Sequence, residues 1–355
     1  MMFMNQLPTL EDVARLSGTS RSTVSRVINN QGGVSDNARE RILSAIDTLN
    51  YQPNRLARGL VTGQNQCLGV IVPRALTQVH SDPFFTPIMD SVYHVAHDAG
   101  LSIMLWIIET EAEGVWLDDH LSQTKQIDGV IMVPSLSSAY LFRRLGDYGL
   151  PCVTIGRFHD QQDNFIDIDN EGAAIAATEH LVALGYKRIA TLTGRLDSNA
   201  SRDRLLGMKR ALTKANMAIS NEWIIDCKFE EALAYHATAK LIKKKCDAIF
   251  CMNDSMAIGA IRAIQESGRR VPEHIGVIGF DDVPRSRAVQ PALTTVRQPL
   301  YGFGEEAAKL LLEIMQAGPR NRDSIRPYVL LPTELIVRDS CGYKRVHEGV
   351  SAATV

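Results

Sequence analysis

The sequence predicts a small all-α domain of three short helices followed by a larger α/β unit made of two doubly wound parallel sheets. Three observations carry that prediction. Helix start signals, with apolar positions at three- and four-residue spacing, recur through the first fifty residues. From Cys67 onward, short aliphatic runs alternate with amphipathic stretches of helical length. The chain has 355 residues with 45% hydrophobic content, enough at ~150 residues per domain for two or three domains with real cores.

Lys and Arg number 38 against 40 Asp and Glu, a net charge of −2, so any anionic partner must be read locally. The longest apolar stretch, Leu101–Ile108, falls far short of the ~18 residues a spanning helix needs, and Met1–Leu7 has no basic region before an apolar core. The expectation is a soluble, cytoplasmic protein. Six cysteines are scattered without a CxxC pair or a nearby His at zinc spacing, and most sit among aliphatics. They are expected to pack reduced as small hydrophobes, with no metal and no cofactor.

Residues 1–63 differ in kind: seven arginines and no lysine stand against Glu11, Asp12, Asp36, Glu40 and Asp47. Arg suits bidentate recognition of phosphate and guanine. Thr9 caps a first helix with Glu11 and Asp12 in its first turn, running to about Ser17. Gly18-Thr19 turns the chain, and Ser20 caps a second helix, Arg21–Asn29, with Val24, Val27 and Ile28 inward and Arg21, Ser22, Ser25 and Arg26 outward. Ser35 caps a third, where Ala38, Ile42, Ala45, Ile46 and Leu49 recur until Asn50. Two helices around a tight Gly turn, the second polar outward, form a helix-turn-helix pattern whose second helix fits the major groove. A generic three-helix bundle with a solvated face is the alternative.

Thr9-Leu10-Glu11-Asp12-Val13-Ala14, Ser20–Asn29, Val34-Ser35 and Leu49-Asn50-Tyr51-Gln52-Pro53-Asn54 closely resemble the headpiece of the lactose/galactose repressor (LacI/GalR) family. The resemblance implies that Arg21, Ser22 and Arg26 read base edges and that Thr9, Ser20, Ser25, Asn29, Ser35 and Asn54 clamp phosphates. Asn54–Val61 resembles the family's hinge helix, which implies DNA contact from Ala57, Arg58 and a minor-groove wedge at Leu60. As an isolated helix it is poor: about two turns long, with Gly59 costing ~1 kcal/mol relative to Ala. It is therefore expected to be unfolded off DNA.

Strands are predicted at Leu68–Val72, Ser102–Ile108, Gly129–Val133, Cys152–Ile155, Arg188–Thr193, Ala248–Met252 and Gly276–Phe280. Helices are predicted at Phe85–Ala99, Gly172–Leu184, Arg204–Ala215, Ala234–Lys244, Met256–Glu266 and Gly304–Met315. Ligands on open α/β sheets bind beyond the carboxyl ends of the strands, which here are followed by Pro73, Pro134, Gly156-Arg157, Gly194-Arg195, Asn253-Asp254 and Asp281-Asp282. Aromatic faces beside Asp, Asn and Arg suit a polyhydroxylated ligand.

The resemblance covers roughly residues 7–340, through Asp82-Pro83-Phe84-Phe85, Ile166–Gly172, His180-Leu181, Gly185–Ile189, Arg204–Gly207, Asn253-Asp254, Gly279–Asp282 and Thr294–Pro299. It implies an α/β periplasmic-binding-protein-like core with effector contacts from Arg204, Asn253 and Asp281, and secondary contacts from Asp82, Phe84, Phe85, Arg157, Phe229 and Gln298. Gly156-Arg157 is similar to members that answer to glucosides and related oligosaccharides. The implied organisation is a headpiece at 1–53, a hinge and linker at 54–66, a core at 67–341 and a tail at 342–355. Within the core, a first subdomain takes about 67–167 plus 299–328, and a second about 168–298 plus 329–341.

The expected function is a ligand-controlled, sequence-specific regulator, most simply a homodimeric repressor of carbohydrate-utilisation genes on a pseudo-palindromic operator, released by a saccharide. A sugar-binding module without DNA function, a purine-type corepressor-dependent repressor and a rare enzyme on the same sheets are the alternatives. No GxSxG, HExxH or Walker loop occurs. Gly302–Ala307 fits a GxGxxA fingerprint, but it follows no aliphatic strand and places Glu305 and Glu306 where a pyrophosphate would sit. Lys240, Lys243, Lys244 and Lys245 read as a solvated helix end, and the tail lacks the leucine heptads of a tetramerising coil.

Overall fold

The computed structural model describes residues 8–29, 31–52, 65–72, 83–124, 126–133, 136–158, 164–318 and 328–342. The chain forms two compact units, Met1–Gln66 and Cys67–Val355. The first holds α1 (Leu10–Ser17), α2 (Arg21–Ile28) and α3 (Asp36–Leu49). Thr9 and Asp12 make a reciprocal capping box on α1, and Gly18 ends that helix in the left-handed region at φ 63°. Ser20 and Ser35 accept from Thr23 N and Ala38 N, and Asn29 and Asn50 serve as C-caps just past the last helical residues. Val13, Ala14, Val24, Val27, Ile42, Ala45 and Tyr51 share one core with Ile28, Ile46 and Leu49 packed against it, so the inward positions expected of α2 and α3 converge except Ala38.

The second unit carries two sheets. The first has the order β11-β5-β4-β3-β1-β2 and the second β12-β10-β9-β8-β6-β7. The strands are β1 (Cys67–Val72), β2 (Ser102–Ile107), β3 (Gly129–Met132), β4 (Cys152–Ile155), β5 (Phe165–Ile168), β6 (Ile189–Thr193), β7 (Ile224–Asp226), β8 (Ala248–Cys251), β9 (Gly276–Asp281), β10 (Thr294–Arg297), β11 (Tyr328–Leu331) and β12 (Glu334–Ile336). The pairings are parallel except β10 with β12, where a short antiparallel edge strand departs from the all-parallel expectation.

On the first sheet, α4 (Phe85–Asp98) and α12 (Leu300–Ala317) cover one face, while α5 (Glu111–Thr124) and α6 (Leu136–Asp147) pair on the other. On the second, α7 (Asn170–Ala183) pairs with α8 (Asn199–Lys214), and α9 (Glu231–Lys243) with α10 (Asp254–Glu266). A short α11 (Pro284–Ala288) follows β9.

Several expectations need correction. Tyr328–Leu331 pairs with β5, so the chain passes to the second sheet at Pro332-Thr333, three residues later than the sequence places that boundary. Backbone pairing of an edge strand leaves little trace in side-chain pattern. The helix expected from Arg204 starts at Asn199, capped by Ser198. α5, α6 and α11, and strands β5, β7, β10, β11 and β12, were not anticipated; of these, β7, β11 and β12 are edge strands that are not fully buried.

Gly302–Ala307 lies inside α12, so no glycine-rich loop exists there. Gly304 instead faces α4, where an added Cβ would stand 2.2 Å from the Ile88 carbonyl oxygen. The six cysteines form no disulfide with one another, and all but half-buried Cys152 are buried. Among the described residues, no helix is long and apolar enough to cross a membrane.

Candidate functional site

In the first unit, Arg21, Ser22 and Arg26 are exposed on α2, while Ser25 and Asn29 are half-buried, Asn29 Nδ2 donating to Ser25 Oγ at 3.3 Å. Arg21 pairs with Glu11 of α1 at 2.9 Å, an exposed contact that a base or phosphate can replace at small cost. Thr9, Ser20 and Ser35 each stand exposed at a helix N-terminus, where backbone N–H groups and the helix dipole favour an anion. Their hydroxyl oxygens accept from Asp12 N, Thr23 N and Ala38 N, and the Thr9 hydroxyl donates to Asp12 Oδ2 at 2.7 Å. Asn54, Ala57, Arg58 and Leu60 lie outside the described residues.

In the second unit, the carboxyl ends of the strands meet a cleft of about 130 Å³. Phe84, Phe85, Arg157, Arg204, Phe229, Asn253, Asp281 and Gln298 all line it, every described residue of the expected effector set; Asp82 lies outside the described residues. Asn170, Asp167, Ser198, Asn199, Ala200 and Phe303 line it too and were not expected there. Asn170 and Ser198–Ala200 come from helix N-termini. The signal that could have found the latter is Ser198 as an N-cap candidate.

Arg204 reaches the cleft from α8, buried to 5% exposure. Its Nε donates to Asn170 Oδ1 at 2.8 Å, one terminal nitrogen donates to the Met252 carbonyl at 2.5 Å, and the guanidinium lies 3.5 Å from the Phe280 ring centroid. Burial brings its pKa down to about 10, with Asp281 and Asp167 pulling the other way, so it stays charged at neutral pH. Asp281 accepts from Gln298 Nε2 and stands at φ 119°, in a region L-residues seldom adopt.

Asn253 caps α10 through Met256 N at 2.9 Å, and its amide donates to the Phe229 carbonyl at 3.3 Å. Phe229, at φ 65°, lays its ring on Gly194, where a Cβ would come within 2.0 Å of the ring. Across the cleft, Phe84 meets Phe85 edge-on at 5.3 Å and Phe303 at 6.4 Å.

Two of the strand-end pairs split. Asn253 and Asp281 face the cleft, whereas Asp254 and Asp282 turn beneath it. Asp254 is fully buried, accepting from Val283 N at 2.9 Å and Thr295 Oγ1 at 2.5 Å, and burial pushes its carboxyl up to about 7. Burial also opposes ionisation of Asp282, but hydrogen bonds from Arg338 and Arg297 outweigh it and hold that carboxyl below its usual range. Arg195 turns outward to Asp197 at 2.8 Å. Pro73 and Pro134 lie outside the described residues. Lys243, Lys244 and Lys245 are exposed at the end of α9, and Lys244 pairs with Glu222.

A groove-reading helix pair joined to a two-sheet unit with a polar, aromatic-walled cleft defines a ligand-binding transcription regulator. Residues 9–54 match the family profile "Bacterial regulatory proteins, lacI family", and residues 178–341 match "Periplasmic binding protein-like domain". The HTH-type transcriptional repressor PurR of Vibrio vulnificus (strain CMCP6) is 32% identical over 343 residues, covering 94% of this chain and 98% of the relative. The HTH-type transcriptional regulator CelR of Thermobifida fusca is 34% identical over 338 residues, with the same coverage of 94% and 98%.

Among solved structures, a transcriptional regulator CelR–cellobiose complex aligns at TM-score 0.73 and 32% identity, over 94% of this chain and 99% of that one. The Lac repressor dimer bound to operator and the anti-inducer ONPF aligns at TM-score 0.82 and 29% identity, over 95% and 99%. The chain belongs to the LacI family of DNA-binding transcriptional repressors.

Proposed function

We propose that this protein is a cytoplasmic, homodimeric repressor of carbohydrate-utilisation genes that binds a pseudo-palindromic operator and is released from it by a saccharide. The observation that carries the saccharide is the cleft itself: Phe84, Phe229 and Phe303 offer apolar faces beside Asp281, Arg204, Asn253 and Gln298. Stacking takes the C–H face of a sugar while paired donors and acceptors take vicinal hydroxyls. The CelR–cellobiose complex supports this reading, because that relative holds a glucoside on the same fold. The protein acts by binding and not by catalysis.

The headpiece expectations carry over as roles in this proposal. Arg21, Ser22 and Arg26 read base edges, while Thr9, Ser20, Ser25, Asn29, Ser35 and Asn54 hold phosphates. Ala57, Arg58 and Leu60 act in a hinge that orders on DNA. The functional divisions are a headpiece at 1–53, a hinge at 54–66 and an effector core at 67–341. Effector binding changes the relation of the two sheets and so the ease of hinge folding, by no more than the effector's differential affinity for the two arrangements.

The PurR relatives favour a second reading, a purine corepressor, since the same rings would stack a base. Calorimetric titration of the purified chain against a panel of neutral sugars and nucleobases separates the two. A sugar alone is the expected ligand; tight binding of a purine with no sugar bound would overturn it. Genome-wide mapping of bound DNA followed by footprinting should reveal a protected two-fold-related sequence beside sugar-utilisation genes.

A further inference from the structure

We infer that the cleft is selective for an uncharged polyol over its phosphorylated counterpart, and that Asp203, which stands behind the cleft wall, sets this selectivity through Arg157. The inference rests on the saccharide reading and deepens it. The described lining contains two cations, Arg157 and Arg204, and each is already committed. Arg204 spends donors on Asn170 and the Met252 carbonyl and lies against Phe280.

Arg157, in the loop after β4, donates from Nε to Asp167 Oδ2 at 3.2 Å and from a terminal nitrogen to Asp203 of α8. Asn199 locks the same loop by donating to the Arg157 carbonyl at 2.8 Å. Opposite stand Asp281 and Asp167 in the lining and Asp203 behind it. Burial pushes the Asp167 carboxyl up, yet even with its proton retained the two guanidiniums face two carboxylates.

A phosphomonoester brings about −1.5 to −2 charges at neutral pH and needs an uncompensated cation or a run of open N–H donors. Neither is present among the described lining residues. Unlike the exposed N-termini of the first unit, those at Ser198 and Asn253 are half-buried and buried, their own side chains accept from Ser201 N at 3.2 Å and Met256 N at 2.9 Å, and Asp254 lies in the first turn of α10. An added dianion would also approach Asp281. Sugar hydroxyls, by contrast, are both donors and acceptors and use the carboxylates and guanidiniums without disturbing their charge balance.

Asp203 is the residue on which this turns. Its side chain is 24% exposed and that of Arg157 is 42% exposed, so the pair can part without leaving a charge fully desolvated. Removing the carboxylate while keeping its shape, as in Asp203→Asn, frees a planar fork of donors at the cleft edge, matched to phosphate oxygens.

The test is calorimetric titration of the full chain, wild type and D203N, at fixed ionic strength, against matched pairs. These are glucose and glucose 6-phosphate, trehalose and trehalose 6-phosphate, and cellobiose and its 6′-phosphate. Wild type should bind a neutral member at least ~10-fold more tightly than its phosphorylated partner, and D203N should shrink that ratio to within ~3-fold with neutral affinity retained. The double variant R157Q/D203N should restore the discrimination, which a merely structural role for Asp203 would not.

A phosphorylated sugar bound by wild type as tightly as its neutral partner overturns the inference alone. So does a D203N chain of unchanged thermal midpoint with an unchanged ratio. Should D203N fail to fold, Asp203→Ser and the wild-type ratio decide the matter. Binding of no sugar in either form removes the saccharide reading, and this inference with it.

Discussion

Arg204 shows how one side chain serves packing and recognition together. A guanidinium buried among Asn170, Met252, Phe280 and nearby carboxylates persists because each neighbour compensates part of its desolvation. Arg204→Ala leaves those partners uncompensated and should cost about 3–5 kcal/mol, read as a lower denaturation midpoint, together with loss of effector binding. On the headpiece, Arg26→Ala should weaken operator binding by about 1–3 kcal/mol per base contact and leave effector titrations unchanged. Equal affinity of the wild type for operator and random DNA would contradict base reading altogether.

Asp254 carries a pH prediction. Its carboxyl is raised in the folded state, so its stabilising contribution is full below the unfolded value of 3.8 and is lost as pH rises through about 7. Chemical denaturation between pH 4 and 8 should show this decline, and Asp254→Asn, which keeps an acceptor oxygen, should flatten it. At this scale side-chain pattern marked only the strand-end pairs, and it was the family resemblance that singled out Asn253 and Asp281 over Asp254 and Asp282. That choice depends on backbone angles such as the positive φ of Asp281 and Asp282, which no side-chain pattern reports.

The elements are held in place by close approaches that few residues permit. Gly194 ends β6 beneath the Phe229 ring, so Gly194→Ala should displace that ring and reduce effector affinity at least ~10-fold while operator binding persists. Titration calorimetry beside a mobility-shift assay reads both. Gly304 performs a comparable task between α12 and α4, where the added Cβ would also meet Ser91 Oγ at 2.3 Å.

Element boundaries were legible where capping and period agreed, as in α1, α2 and α3. They were not where a helix begins in polar residues: α8 opens with Asn199-Ala200-Ser201-Arg202-Asp203, whose hydrophilic first turn hid both its start and its cleft-facing end. α5 carries buried Asp118 among its few apolar positions, tied to Arg144 and Tyr140 of α6 at 3.0 and 2.9 Å, so polar contact replaces part of the apolar stripe that the eye seeks.

For the whole molecule, operator affinity is a property of coupled equilibria rather than of any one contact. A dimer presents two headpieces to a two-fold-related site, and linkage then multiplies their separate affinities. Sedimentation at micromolar concentration should show a dimer; monomer alone, or a stable tetramer, would contradict this. Saturating effector should lower operator affinity measurably without altering the bound sequence, the outcome expected of the proposed mechanism, in which it acts on the hinge equilibrium.

The amino-acid sequence by itself determined the helix-turn-helix, the polar outward face of its second helix and the strand termini that line the cleft, because caps, turns and hydrophobic period act over a few residues. Only the tertiary structure decided that Asp254 is held beneath the cleft by Val283 and Thr295, and Asp282 by Arg297 and Arg338. It also decided that Phe229 rests on Gly194 and that Asp203 and Asp167 flank Arg157. Those relations join residues ten to more than forty positions apart on separate strands and helices, and their geometry exists only once two sheets have packed.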